Sequence, residues 1–302
     1  LASSRGGSEI ETFWSSSSST PAPEESMKFK KFLSIPILSV FLLVGFVYYV
    51  TIFIFMDDWL GLQTSSGSLN ALIFTFLASL SIFSFFVCVL TDPGGVPSTY
   101  VPDIEDTEVS DQEHKKTSAH LRRCDKCSAH KPPRAHHCRV CRRCVLRMDH
   151  HCLWINNCVG HRNYKAFVVL VLYATIASIY SSVIIVFCAL QKDWVIGRGV
   201  PVKVFYVTCS AMIVGLSLTL GTLLCWHIYL IMHNMTTIEH YEGIRAAWLA
   251  GKSGQIFRHP FDVGVYKNIT LILGPNMLKW LCPTAVSHIK DGIDFPTTRD
   301  SS

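Results

Sequence analysis

Cysteine and histidine residues gather in one short window of this chain. Of its twelve cysteines, seven lie between Cys124 and Cys158, and histidines are interleaved with them. The spacing there reads C-x2-C-x9-H-C-x2-C-x2-C-x4-D-H-H-C-x5-C. Disulfides are typical of cysteines spread through a short secreted chain, whereas paired CxxC motifs with nearby histidines are typical of tetrahedral zinc. The window therefore predicts structural metal sites.

This region offers more ligands than two zinc ions need. A structural zinc takes four protein ligands, so two ions take eight. Besides the seven cysteines, the region contains His130, His136, His137, His150, His151 and His161. At least one thiol or imidazole is therefore left over, and such a surplus group is available for chemistry.

The composition of the chain is that of a membrane protein. Of its 302 residues, 49% are hydrophobic and only 16% are charged, and the mean hydropathy is +0.31. Four segments, at approximately 32–56, 69–91, 166–190 and 204–232, reach the length that a bilayer core about 30 Å thick requires. Buried helices of a large soluble core are the alternative for each segment. Four such segments in one chain favour a polytopic membrane protein over a soluble enzyme.

The distribution of Lys and Arg predicts the orientation in the membrane. Cytosolic loops carry an excess of these residues. The connection between the second and third spans, 92–165, contains thirteen of them, whereas the loop 57–68 contains none. Lys192, Arg198 and Lys203 near the last loop oppose the rule locally. We therefore expect the central connection and both termini to be cytosolic.

The remaining segments are assigned by composition. Residues 1–26 are poor in hydrophobic residues, and we expect them to be disordered or extraneous to the natural protein. We expect 27–91 to hold the first two spans, 92–165 the cysteine-rich domain, 166–232 the last two spans and 233–302 a C-terminal segment. No internal repeat is apparent, which disfavours a transporter made of duplicated halves.

The motif Asp149-His150-His151-Cys152, in a cysteine-rich domain between the second and third of four spans, resembles the DHHC protein S-acyltransferase (palmitoyltransferase) family. Other matches are Asp92-Pro93-Gly94 to the DPG motif, Thr236-Thr237-Ile238-Glu239 to the TTxE motif, and Tyr266 and Asn268 to the C-terminal motif. The sequence is most similar to plant members and departs at Leu153, where many members have proline. The resemblance implies an α-helical polytopic membrane protein with four transmembrane helices and a cytosolic two-zinc domain between the second and third.

The resemblance also implies two interleaved Cys3His zinc sites. One zinc is assigned to Cys124, Cys127, His137 and Cys144, and the other to Cys138, Cys141, His151 and Cys158. Both sites would be closed and structural, because neither keeps an open coordination position. Cys152 and His150 are then the surplus groups.

The family chemistry makes Cys152 the nucleophile. It would take a palmitoyl group from acyl-CoA and pass it to a cysteine of a membrane-associated protein. His150 would be its base or ion partner, and Asp149 would orient His150. Thr237 would fix Asp149 unless it is only a helix cap, and Asn268 would dock the C-terminal segment. Trp154 would either pack against the thioester or lie in the membrane interface.

The expected partners are acyl-CoA, membrane-associated protein substrates with accessible cysteines and the lipid bilayer, but not nucleic acid. A basic face for CoA phosphates or anionic lipid is predicted from Arg122, Arg123, Lys126, Arg134, Arg139, Arg142, Arg143 and Arg147. The expected location is the endomembrane system, at the Golgi or the plasma membrane.

His227, inside the fourth span, is expected to be a packed bundle histidine. A non-enzymatic zinc-containing membrane scaffold is the alternative function, and it would leave Cys152 without a role.

Overall fold

The structure of the protein is a computed structural model that describes residues 34–102, 122–190 and 199–298. The predictions for residues 1–26, and for the basic residues Lys192 and Arg198, lie outside these ranges. Within them, four helices are long and apolar enough to cross a membrane, as the hydropathy pattern predicts. The chain is therefore built as an integral membrane protein.

The first span is composite. Helix α1 covers Ile35–Tyr49, with Pro36 in its first turn, where proline is tolerated. The chain continues as a π-helical segment over Val50–Met56 and ends in the short helix α2 over Asp57–Leu60. Most of the π-helical segment is buried against the other spans.

The other three spans are single helices, α3 over Ser65–Leu90, α4 over Tyr164–Ala189 and α5 over Val200–Met232. Two of them begin about four residues earlier than the apolar windows indicate. In α3 the polar first turn is held by the Thr64 hydroxyl, which accepts a hydrogen bond from Gly67 N at 3.0 Å. Hydropathy does not register such polar capping turns.

Two apolar cores run along the bundle. One joins all four spans at the end of the bundle far from the cysteine-rich region. The other joins Phe85 of α3 and Phe167 of α4 to Cys152 and Ile155 of that region. The cysteine-rich domain is thus seated on the spans through the same core that buries Cys152.

The cysteine-rich domain consists of three antiparallel hairpins. Their strands are β1 Arg123–Cys124, β2 Ala129–His130, β3 His136–Cys138, β4 Arg143–Val145, β5 His150–Cys152 and β6 Asn157–Val159. The third hairpin is fixed to the end of α3, because the Asn157 amide donates to the carbonyls of Cys88 and Thr91 at 3.1 and 3.0 Å. This places β5 at the end of the helix bundle.

The C-terminal segment folds back on the first turn of α4. It contains α6 over Thr237–Lys252, α7 over Val265–Leu273 and a 3-10 turn over Met277–Lys279. The buried Lys165 ammonium, in the first turn of α4, donates to the carbonyls of Leu273, Lys279 and Ala285 at 2.8 to 2.9 Å. Three acceptors match the three N–H donors of an ammonium, so the segment is fixed without a carboxylate.

Asn268 is fully buried in α7. Its amide donates to Met232 O and to Asp262 Oδ1, both at 2.7 Å, and its own oxygen accepts from Val263 N at 3.1 Å. We expect Asn268→Ala to destabilise the protein by about 2–3 kcal/mol, because it leaves buried partners unsatisfied. Thermal unfolding in detergent measures this, with the exposed Tyr266→Ala of the same helix as control. Unchanged melting temperature, yield and activity in Asn268→Ala would refute the docking role.

Candidate active site and metal centres

The three hairpins are copies of one unit. Cys124, Cys138 and Cys152 follow one another at intervals of fourteen residues and end the first strand of each hairpin. The pairing is also equivalent, because His137 faces Cys144 in the second hairpin as His151 faces Cys158 in the third. The expectation that the chain lacks an internal repeat is therefore wrong for this domain, because the repeat is shorter than the spans and domains whose duplication was considered.

Each metal-binding group combines two hairpins. Cys124 and Cys127 of the first hairpin meet His137 and Cys144 of the second, and Cys138 and Cys141 of the second meet His151 and Cys158 of the third. In each group the four ligand atoms lie within 4.8 Å of one another. Neighbouring residues of a strand point to opposite faces, so His137 and Cys138 enter different groups. The strand pleat therefore produces the interleaving.

The spacing of the donor atoms fits a tetrahedral zinc ion. Zn–S and Zn–N bonds of about 2.3 and 2.1 Å place ligand atoms about 3.6 Å apart. The sulfurs of Cys141 and Cys158 are 3.5 Å apart, and His151 Nδ1 lies 3.4 Å from Cys141 Sγ. In the first group, the sulfurs of Cys127 and Cys144 are 3.8 Å apart. Three thiols and one imidazole are also the donor types that zinc prefers.

The third hairpin has the same frame without a metal-binding pair of cysteines. Cys152 stands at the position of Cys138, but Ile155 stands where Cys141 would be. In the second hairpin the turn directs a backbone amide at the first sulfur, because Cys141 N donates to Cys138 Sγ at 3.3 Å. In the third hairpin burial opposes ionisation of Cys152, and the backbone amides of Ile155 and Trp154 act to lower the pKa of the thiol. Cys152 thus occupies a thiolate-binding turn and belongs to neither metal-binding group.

The structure brings Asp149, His150 and Cys152 together at the start of β5. His150 and Cys152 are two residues apart on one strand, so their side chains share a face, while His151 points to the metal-binding group. His150 Nδ1 donates to Asp149 Oδ2 at 2.7 Å. The imidazole is also close enough to Cys152 that each of these two groups shifts the pKa of the other. Asp149 is fully buried and Cys152 is 8% exposed.

The charged forms of Asp149, His150 and Cys152 are all stabilised. Burial opposes ionisation of Asp149, but the hydrogen bond from His150 keeps the pKa of the carboxyl below its usual value. Burial likewise disfavours a charged His150, yet the bonds to Asp149 and Cys152 raise its pKa to about 9. For Cys152, His150 and the backbone amides outweigh burial and lower the pKa of the thiol. The arrangement favours a thiolate beside an imidazolium, supported by a carboxylate.

Comparison with known proteins identifies the family. Residues 117–244 match the family described as DHHC palmitoyltransferase. The chain is 63% identical over 258 residues to "Probable protein S-acyltransferase 15" of Arabidopsis thaliana, a match that covers 85% of this chain and 100% of the relative. The chain belongs to the DHHC palmitoyltransferase family.

Other relatives agree with this assignment. "Probable protein S-acyltransferase 16" of Arabidopsis thaliana is 52% identical over 270 residues, which cover 89% of this chain and 94% of the relative. "Palmitoyltransferase ZDHHC2" of Homo sapiens is 33% identical over 189 residues, which cover 60% of this chain and 47% of the relative. This DHHC palmitoyltransferase is therefore an enzyme of the protein S-acyltransferase type, and the scaffold alternative gains no support.

In this palmitoyltransferase, Thr237 is hydrogen-bonded to Asp149. Its backbone amide donates to Asp149 Oδ1 and its hydroxyl to Asp149 Oδ2, both at 2.9 Å. The cap of α6 is the preceding Thr236, whose hydroxyl accepts from Glu239 N while the Glu239 carboxylate accepts from Thr236 N. Thr237 is thus left free of the capping role and is bonded to Asp149 instead.

Arg134 holds the first turn of α6 on the domain and does not belong to the predicted basic face. It is 3% exposed and pairs with both Glu239 carboxylate oxygens at 2.7 Å. Its guanidinium carbon lies 4.4 and 4.8 Å from the ring centroids of Phe261 and Phe295. Arg147 is also buried, under Tyr164. Hydropathy cannot identify such arginines, because their acceptors are about a hundred residues away in the chain.

Four basic residues of the palmitoyltransferase line a cleft of about 950 Å³. Lys126, Lys131, Arg139 and Arg142 contribute to its wall. Its floor includes Met148 and Ile238, which are the chain neighbours of Asp149 and Thr237. The cleft is therefore both cationic and adjacent to the catalytic candidates.

Trp154 lies in the turn of the third hairpin. Its side chain is 59% exposed, as is that of Leu153, whereas Ile155 is buried in the core of the palmitoyltransferase. Two large exposed apolar side chains at a hairpin tip suit a membrane interface. Of the two interpretations of Trp154, a place in the membrane interface agrees better with this exposure than a contact with the thioester.

Proposed function

We propose that this palmitoyltransferase moves a palmitoyl group from acyl-CoA to a cysteine of a membrane-associated protein through an acyl-Cys152 intermediate. The observation that carries this proposal is the Cys152 thiol, which belongs to neither metal-binding group and shares a strand face with an imidazole that donates to a buried carboxylate. In this scheme Cys152 is the nucleophile and His150 transfers protons. Asp149 orients the His150 ring and balances its positive charge.

The first step forms the acyl-enzyme. The Cys152 thiolate attacks the thioester carbonyl, the bond between that carbon and the CoA sulfur breaks, and the leaving thiolate takes the proton of the His150 imidazolium. In the second step the acceptor thiol gives its proton to His150 and attacks the acyl-Cys152 carbonyl. The bond to Cys152 breaks and its thiolate is restored beside the imidazolium. Both steps exchange one thioester for another, so no further reactant is needed.

The apolar core around Cys152 keeps water from the thioester. Phe85, Phe167 and Val168 belong to the same buried cluster as Cys152 and come from two different spans. An acyl chain among the spans gains roughly 0.8 kcal/mol for each buried CH2. The location of the thiol therefore favours transfer to another membrane-held thiol over hydrolysis.

The two metal-binding groups support two structural zinc ions. The assigned ligands are Cys124, Cys127, His137 and Cys144 for one ion, and Cys138, Cys141, His151 and Cys158 for the other. Bound zinc would supply folding energy to a domain made of strands of two or three residues. His151 and Cys158 then hold β5 and β6 in register, which positions His150 and Cys152.

Thr237→Val is expected to lower the rate of acyl-enzyme formation by about tenfold, because a hydrogen bond to a charged group contributes roughly 1.5 kcal/mol or more. The substitution removes only the hydroxyl donor of Asp149 and keeps the backbone one. The rate is measured in a single turnover with palmitoyl-CoA. Thr237→Ser, which retains the hydroxyl, is the control and should stay near the wild-type rate. Equal rates in the Val and Ser variants would contradict the role of Thr237.

The basic cleft supports a site for the CoA phosphates. We expect Lys131→Gln combined with Arg139→Gln to raise the KM for palmitoyl-CoA about five- to tenfold and to leave kcat nearly unchanged. Arg245→Gln, an exposed arginine of α6 outside the cleft, is the control. If the cleft instead contacts anionic lipid, the double variant changes vesicle binding and leaves this KM unaltered.

The charge distribution supports a cytosolic active site. The cysteine-rich domain and both termini would lie on the cytosolic face, where acyl-CoA and the substrate cysteines are available. The endomembrane system, at the Golgi or plasma membrane, is the proposed compartment. Protease protection of tags placed at each terminus, in sealed membrane vesicles, tests the orientation.

A chase experiment tests the proposed transfer. The enzyme is labelled with an alkyne analogue of palmitoyl-CoA, the free donor is removed, and a membrane-anchored peptide with one cysteine is added. We expect the label to leave the enzyme as it appears on the peptide, and a serine version of the peptide to gain none. Label that appears on the peptide only while free donor is present would contradict a two-step mechanism.

A further inference from the structure

His227 lies inside α5 and is 1% exposed. An imidazole in an apolar span is costly unless its polar atoms find partners. His227 Nδ1 lies 3.1 Å from the hydroxyl oxygen of Tyr164, which begins α4 and is also 1% exposed. The pair joins the third and fourth spans at the level of the cysteine-rich domain.

The ring of His227 faces the active-site histidine. The centroids of the His227 and His150 rings are 6.1 Å apart, and both rings make edge contacts with Phe167, at 5.1 and 5.2 Å. Phe167 is one helical turn beyond Tyr164 on α4. The His150 ring is thus enclosed by a phenyl ring from one span and an imidazole from another.

Tyr164 is held in turn by the cysteine-rich domain. The guanidinium carbon of Arg147 lies 4.8 Å from the centroid of the Tyr164 ring, and Arg147 donates to Asn234 Oδ1 at 3.5 Å. Arg147 is two residues before Asp149. The Tyr164 and His227 pair is therefore connected to the turn that leads into β5, and not only to the lipid-facing bundle.

We propose that His227 is a positioning residue for the acyl-transfer reaction: anchored by Tyr164, it packs against the His150 ring and keeps that ring directed at Cys152. This inference rests on the proposed role of His150. The bond to Asp149 fixes one edge of the ring but does not prevent the ring from tilting about that bond. Packing by Phe167 and His227 removes this freedom, and small misplacements of a proton-transfer group are costly.

A double-mutant cycle tests this proposal. The variants are Tyr164→Phe, His227→Phe and the two combined, each assayed for kcat and for the KM of palmitoyl-CoA in enzyme with two zinc ions. We expect each single variant to lower kcat about tenfold with KM unchanged, and the double variant to be no slower than either one. His227→Asn, which keeps a polar group near the Nδ1 position, should recover part of the kcat lost in His227→Phe.

Two controls separate the possible results. Ser217→Ala removes another buried hydroxyl of α5, bonded to Ser182 at 2.8 Å, and should leave kcat unchanged. Wild-type kcat in both Phe variants, or losses that multiply in the double variant, would overturn the proposal. If His227→Phe fails to fold, the His227→Asn and Tyr164→Phe pair decides the question in the same way. Wild-type enzyme that forms no Cys152 adduct would instead contradict the proposed function.

Discussion

Replacing Cys141 by serine lowers the zinc content from two ions to one and the amount of folded protein by about tenfold or more. Structural zinc contributes on the order of 10 kcal/mol to the folding of a small domain. Cys141 closes the group that contains His151 and Cys158, which lie across from each other in β5 and β6. Loss of that group releases the strand that carries His150 and Cys152.

The measurement is metal analysis by mass spectrometry on the detergent-purified protein, together with its yield after size-exclusion chromatography. Cys225→Ser is the matched control, because this exposed thiol of α5 belongs to neither metal-binding group. It should keep two zinc ions and the wild-type yield. Two zinc ions and normal activity in Cys141→Ser would contradict the ligand assignment.

Asp149→Asn lowers the rate of acyl-enzyme formation by about 10³–10⁴-fold and leaves the zinc content at two, because the effect concerns charge and tautomer rather than folding. Three donors converge on this carboxylate, from His150 Nδ1, Thr237 N and the Thr237 hydroxyl. An asparagine has one acceptor oxygen for them, so at least one buried donor loses its partner. The imidazolium also loses its counter-charge.

Single-turnover labelling with palmitoyl-CoA, followed by quenching at low pH, measures this rate. Asp294→Asn changes an exposed carboxylate in the C-terminal segment and is the control. A loss smaller than about tenfold in Asp149→Asn, at full zinc content, would show that the carboxylate is not needed to orient His150.

The parts of this architecture that depend on local pattern could be predicted from the sequence. The spans follow from runs of apolar residues. The short cysteine and histidine spacings indicate two zinc sites, and the resemblance to the DHHC family divides the ligands between them. The fourteen-residue repeat is also local, and comparing Cys124, Cys138 and Cys152 in the sequence would have found it. That comparison explains why Cys152 is the surplus thiol: its partner position is Ile155, and helix α4 follows the third hairpin directly.

The parts that depend on contacts between distant segments could not be predicted. Arg134 and Lys165 have the same charge as their exposed neighbours, and only the folded chain shows that one meets Glu239 and the other three carbonyls. The same holds for His227. In the sequence it is a single polar residue in an apolar helix, and only the folded chain shows its contacts with Tyr164 and His150. Hydropathy and spacing carry no information about such pairings.

The position of the acyl adduct tests the proposed role of Cys152 most directly. Purified enzyme is incubated with palmitoyl-CoA and digested, and each cysteine peptide is analysed by mass spectrometry before and after hydroxylamine, in wild type and in Cys152→Ser at equal zinc content. We predict a hydroxylamine-sensitive palmitoyl group on the Cys152 peptide that is absent from the variant. An adduct of equal yield in Cys152→Ser, or no adduct on either protein while both hold two zinc ions, would contradict it.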